Sequence, residues 1–281
     1  MRCPSSLPLK SAPRHRALFG ERRRQQRPPR SASSMAPSPV VLTMLPTIRP
    51  RPSPGETSGA ETITPLVSAM EYRAGELAAD RIIHMMGTLA GAVGAAILVG
   101  IAAAVAVLPI FSSSLVYCVC LVAMLGCSAA YNLASNTSRR EVLRQLDHAA
   151  IFLMIAGTYT PFTTCRLHGV WAIGMTTAVW TGAVTGAVMK LICPRRVERV
   201  STVAYLALGW IILVGIRPLL SSVDVPTAVL IGVGGVLYSI GTGFHLWRAL
   251  PFHNAIWHSF VLVAAGFHYA AILHGVVLAR S

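Results

Sequence analysis

The sequence predicts an all-α, polytopic membrane protein: seven transmembrane helices with the N-terminus in and the C-terminus out. Three observations carry this. Residues of hydrophobic type make up 54% of the chain and charged ones only 12%, about half the charge of an ordinary soluble domain, and the mean hydropathy is +0.60. Seven stretches approach the roughly 20 mainly apolar residues that a bilayer core requires. The basic residues between those stretches fall mostly on alternate connections, the pattern that orients membrane helices.

The chain begins with a segment of a different kind. Residues 1–70 form a basic tail rich in Pro, Ser and Arg ("RHRALFGERRRQQRPPRSASS") and hold a net +8 of the chain's formal +14. Such a stretch buries too little apolar surface to offset its ordering entropy. It is expected to be disordered, or to precede a true start at Met35 or Met70. Residues 71–281 form the membrane domain. The charge of the tail does not make nucleic acid the partner, because the bulk of the chain is too apolar for that; membrane lipids are the expected partners. The six cysteines include no CxxC pair, and three lie in one apolar segment, where cysteine packs as a small apolar residue.

The first apolar segment, 82–108, contains "GTLAGAVGAAILVG", small residues that let helices approach closely in lipid. The second, 111–135, ends on Ser128 and Asn132. The third, 147–165, opens on Asp147 and contains "GTYTP", where Pro161 lacks a backbone donor and Thr158 or Thr160 is expected to satisfy the freed carbonyl. The fourth and fifth cover 170–192 and 201–220. The sixth, 226–247, repeats the small-residue theme in "IGVGGVLYSIG". The seventh, 255–278, follows "HNAIWHSF". With the N-terminus inside, the inner connections hold Arg139, Arg140, Arg144, Lys190, Arg195, Arg196, Arg199 and Arg248, and the outer ones only Arg166, Arg217 and Arg280.

This topology brings distant polar residues to one depth. Ser128 and Asn132 end the second segment on the inner side, Asp147 opens the third there, and Asn254 and His258, four apart and so on one helical face, open the seventh. Ionisable groups within spans cost roughly 2.5–3.5 kcal/mol on insertion scales and therefore face the bundle interior with partners. A shared site is expected. His84 and Glu76, eight apart on the first helix, share a face and are candidates to approach it. His268 and His274 lie further along and are expected to make structural hydrogen bonds.

"RQLDHAAIFLMIAGTYTPF" (144–162) closely resembles the signature of the hemolysin III family, which belongs with the progestin and adipoQ receptors. Four further regions agree in order: "GELAADRIIHMMGTLAG" (75–91), "CSAAYNLAS" (127–135), "YLALGW" (205–210) with "GGVLYSIGTGF" (234–244), and "LPFHNAIWHSFVLVAAGFHYAAIL" (250–273). The resemblance implies a seven-helix fold and a zinc ion near the cytoplasmic side. It implies that the zinc ligands are the residues at Asn132, Asn254 and His258, with Asp147 and Ser128 orienting a zinc-bound water. It also implies an integral membrane location, expected to be the bacterial plasma membrane.

Two of those three ligand positions are Asn here. Zinc sites are built from Cys, His and Asp/Glu, and a carboxamide oxygen is a weaker donor than imidazole. His253 cannot replace Asn254 on a regular helix, because it diverges from His258 by about 140°. The expectation is therefore a scaffold that binds zinc weakly or not at all, with Asn132 and Asn254 hydrogen-bonded to each other. Sensing or maintaining the state of the membrane is the function this favours. The alternatives are a zinc-dependent lipid amide hydrolase with Asp147 as base and a pore-forming cytolysin. No continuous polar stripe lines a channel, and the last helix lacks the lysine of a retinal Schiff base.

Overall fold

The computed structural model describes residues 64–134 and 137–279, with side chains from Gly75 onward except at 137–138 and 194–199. The tail expected at the N-terminus lies outside the described residues as far as residue 63, and the first helix begins within the stretch assigned to it.

Among the described residues all regular structure is helical: α1 (Thr64–Val105), α2 (Leu108–Leu133), α3 (Thr137–Cys165), α4 (Gly169–Ile192), α5 (Pro194–Gly209), α6 (Ile216–Ser222), α7 (Val225–Leu246) and α8 (His253–Ile272). A 3₁₀ turn, Ile211–Gly215, joins α5 to α6, and a π turn, Leu273–Val277, continues α8. Six stretches are long and apolar enough to cross a membrane: Gly75–Val105, Leu108–Leu133, Gly169–Ile192, Val200–Ser222, Val225–Leu246 and His253–Val277. The chain is a polytopic all-helical membrane protein. α3 is not among the six, because Arg139, Arg140, Glu141, Arg144 and Asp147 charge its first part and Thr, Tyr and Pro dilute its last.

Burial follows lipid rather than water. Leu77, Ile82, Met85, Met86, Leu89, Val93 and Ile97 stand exposed along α1, a surface that water would penalise and acyl chains accept. The interior is packed by Leu98, Tyr117, Leu121, Phe162 and Ile272, with a second cluster around Phe152, Val179 and Leu208. In order, α1 packs on α2, α2 on α3, α3 on α4, α4 on α5, α5 on α7, α7 on α8, and α8 returns to α1. α3 also touches α8, so four helices that carry polar residues at one end of the bundle, α1, α2, α3 and α8, close into a ring in which each packs on the next. Close approach of α2 and α3 requires Gly157, where a Cβ would sit 2.7 Å from that of Cys120.

The fifth apolar stretch, expected as one helix over 201–220, is broken at Trp210. Gly209 and Gly215 weaken the helix there, and Pro218 cannot donate to Val214. Tyr159 spans the break: its hydroxyl donates to Gly209 O at 2.6 Å and accepts from Ile212 N–H at 3.1 Å. Tyr159→Phe leaves both backbone groups without that partner and is expected to cost about 1–3 kcal/mol, read from unfolding of the detergent-solubilised protein. At Pro161 neither threonine reaches the expected carbonyl. Thr158 donates to Met154 O and Thr160 to Ala156 O, rather than to the Gly157 carbonyl that Pro161 frees. Their side chains follow their own i−4 carbonyls, which lie one turn back on the same face.

His268 Nδ1 lies 3.0 Å from Ala264 O, and His274 Nδ1 lies 3.1 Å from Thr227 Oγ1, the structural roles expected of both. Asp224 caps α7 by accepting from Thr227 N–H at 3.3 Å, and its hydrogen bonds with Thr227 hold the carboxyl below the usual carboxylate range.

Candidate metal centre

At the end of the bundle where α1 and α8 begin as spans, three ionisable side chains converge. Asp80 and His84 are four apart on α1 and so share a face. His258 lies on the second turn of α8. His258 Nδ1 donates to Asp80 Oδ1 at 2.6 Å, and His84 Nε2 lies 3.7 Å from the same oxygen. The two imidazoles meet edge to face with centroids 4.2 Å apart. Asp80 and His84 are buried, with 8% and 6% of their surface exposed. That burial is tolerable for a carboxylate only because the histidines satisfy it.

Asn132, on the last turn of α2, completes the cluster. Its amide donates to His84 Nε2 at 2.8 Å and to Ser128 O at 3.0 Å. His84 is thereby a neutral ring with its proton on Nδ1. One layer away, Asp147 on α3 is buried and hydrogen-bonded to the Ser128 side chain, close enough for the charges of His258 and Asp80 to act on it.

The register of α8 against α1 is set one turn earlier. Phe252, which precedes α8, is held at φ +57°, an uncommon conformation for a bulky residue. Its N–H donates to Glu76 at 2.8 Å. Glu76 lies one turn before Asp80, so a single helix face both anchors the turn into α8 and meets His258. Glu76→Ala is expected to destabilise the fold by about 1.5–3 kcal/mol, the range for a hydrogen bond to a charged group. Unfolding measured beside Glu76→Gln, which keeps the acceptor, checks it.

Of the residues singled out in the sequence, the structure brings Ser128, Asn132, Asp147 and His258 to one end of the bundle, together with His84. Asn254 is not brought in. It is exposed on the first turn of α8 and has no hydrogen-bond partner among the described residues. The expected Asn132–Asn254 bond is not formed; Asn132 bonds to the buried His84 instead. Asp80 was missed by sequence reasoning. Its signal was present: a carboxylate inside an apolar span, four residues from a histidine, is costly unless paired.

The donor set suits zinc. Asp80, His84 and His258 offer one carboxylate and two imidazoles whose ligand atoms lie within 4.8 Å of one another. At Zn–O and Zn–N lengths near 2.0–2.1 Å, tetrahedral neighbours stand about 3.3 Å apart. The 2.6 Å Asp80–His258 contact is thus a hydrogen bond that must open by about 0.7 Å and lose its proton on loading, and Asn132 must release His84 Nε2. The residues fit the ion after that small rearrangement.

Fold and site together define a helical membrane protein with a largely buried Asp/His/His cluster at one end of its helix bundle. The profile described as "Haemolysin-III related" matches residues 79–269, and the chain belongs to that family. It is 38% identical to "Hemolysin-3 homolog" of Bacillus subtilis (strain 168) over half of this chain and 65% of the relative. It is 42% identical to "Hemolysin-3" of Bacillus cereus over 47% of this chain and 60% of the relative. "Monocyte to macrophage differentiation factor" of Homo sapiens is 28% identical over 45% of this chain and 52% of the relative. The chain thus matches about three fifths of the length of its bacterial relatives, and no solved structure matches it.

Proposed function

We propose that this protein is a metal-dependent membrane hydrolase of lipid amides or esters, whose cation is held by Asp80, His84 and His258. The observation that carries the reading is the convergence of those three ligand-type groups beside the Asp147–Ser128 pair. The two Asn substitutions argue for a lost site only while the ligands are sought on α2 and α8. The first helix offers two others. In this reading α3 is the seventh span, the N-terminus is cytoplasmic and the membrane is the bacterial plasma membrane, as the basic connections favour.

Bound zinc would supply a Lewis acid and a water of lowered pKa. The protein's own groups do the rest. Asp80 and the two histidines fix the cation against α1 and α8. Asp147, oriented by Ser128, would accept the proton of the attacking water and return it to the leaving amine of an amide or the leaving alcohol of an ester. Asn132 presents its amide to the same space and can donate to a polarised carbonyl oxygen. The exposed apolar flank of α1 offers acyl chains a path from the bilayer.

The reading is tested in liposomes that contain fluorescent ceramide and phospholipid, with and without added zinc. Fatty-acid release that requires zinc and is lost in Asp147→Ala and in Asp80→Ala supports it. Release that persists in Asp80→Ala contradicts it. The second reading, a non-enzymatic role in membrane homeostasis, draws on the internal satisfaction of the cluster, since Asp80–His258 and Asn132–His84 pair without a cation. Stability unchanged by zinc and absence of release favour it. Protein-dependent dye leakage would favour a pore.

A further inference from the structure

The opposite end of the bundle carries a second polar site. A cavity of about 350 Å³ lies between the end of α3 and the end of α6, lined by Arg166, His168, Pro218, Ser221 and Ser222 among others. That volume falls in the range of small-ligand pockets, roughly 300–1,000 Å³. Arg166 is the charged group in it. Its Nε donates to Gly275 O at 2.6 Å, in the π turn that ends α8. This single bond across 109 residues fixes the plane of a partly buried guanidinium. Among the described residues no carboxylate pairs with it.

An arginine so placed is informative. A half-buried cation at a membrane-side cavity needs an anion or water, and its terminal N–H groups, left over once Nε is engaged, form the fork that matches phosphate oxygens. The surrounding chemistry agrees. Ser221 and Ser222 bring hydroxyls to the wall, although each now donates to a carbonyl of its own helix. His168 precedes α4 without capping it, so the positive end of that helix dipole faces the same region. The cavity stands at the level of the span ends, where lipid phosphates lie, and Val170, Ile173 and Leu220 expose apolar side chains beside it.

We propose that this cavity binds a phosphate group through Arg166, with a phospholipid headgroup as the carrier that the flanking apolar side chains fit. The site is separate from the Asp80–His84–His258 cluster and does not depend on the presence of metal there.

The test is thermal unfolding of the full-length protein, delipidated in detergent, with three additives: dioctanoyl phosphatidic acid, dioctanoylglycerol and inorganic phosphate. Wild type is expected to be stabilised by the phosphatidic acid in a saturable way and not by the diacylglycerol. Its apparent affinity is expected to fall at least tenfold in Arg166→Gln. His168→Glu sets a like charge in the lining, at an exposed position where folding is unaffected, and is expected to weaken binding as strongly. Stabilisation by phosphatidic acid alone assigns the group to a lipid headgroup, and stabilisation by inorganic phosphate as well assigns it to phosphate whatever the carrier. An equal response to dioctanoylglycerol, or a wild-type response in His168→Glu and in whatever Arg166→Gln protein folds, overturns the proposal.

Discussion

Asp80→Ala is expected to abolish stoichiometric zinc binding, lowering affinity by more than the 10–100-fold that an outer-shell change costs. The carboxylate occupies the centre of the cluster: one oxygen lies 2.6 Å from His258 and 3.7 Å from His84. Removing it takes away one ligand and also the group that orients a second. Its loss further leaves His258 Nδ1–H half-buried without an acceptor, which adds a stability cost of about 1–3 kcal/mol. Asp80→Asn separates the two effects. It keeps a hydrogen-bond acceptor for His258 but removes the charge, so the protein should unfold close to wild type while zinc affinity still collapses. Isothermal titration of both variants in detergent, beside their unfolding midpoints, measures this.

The second large effect has the opposite sign. Asn132→His is expected to tighten zinc binding at least tenfold, and Asn254→His to change it less than twofold. Position 132 touches His84 Nε2 at 2.8 Å, so an imidazole there replaces a weak neutral group that blocks a ligand atom with a fourth zinc ligand. Position 254 is exposed and meets none of the cluster. The pair of mutants therefore distinguishes a site centred on α1 from one centred on α2 and α8. Affinity in both proteins should fall as pH is lowered, because the cation displaces a proton from His258 and needs His84 neutral.

Much of this arrangement could be read in the sequence. The apolar stretches located the helices, because lipid demands continuous apolar length and rejects unpaired backbone. Two stretches departed from expectation: the third, α3, is too polar to count among the six apolar spans, and the fifth keeps its apolar length but breaks its helix at Trp210, where Gly209, Gly215 and Pro218 act together while Tyr159 from α3 supplies a bridge, a contact no local pattern reveals. The depth argument brought Ser128, Asn132, Asp147 and His258 to one end, because helix ends at the same face share a level whatever their separation in the chain. It did not place Asn254. Spacing alone put that residue on the face of His258, but one turn further out the helix emerges from the bundle. Nor did it find Asp80, because spacing shows that Asp80 shares a face with His84 but not which neighbour that face meets. Rotation of α1 decides whether that pair faces α8, and rotation is set by the Glu76–Phe252 tie, across 176 residues.

The central claim is that the cation is held by two imidazoles and one carboxylate from α1 and α8. X-ray absorption at the zinc edge, on the full-length protein loaded with one equivalent, tests it directly. Two imidazole nitrogens and one or two oxygens are expected at about 2.0–2.1 Å, with the imidazole signal falling to one in His84→Ala. A spectrum with a single imidazole in the wild type, or one unchanged by His84→Ala, would contradict it.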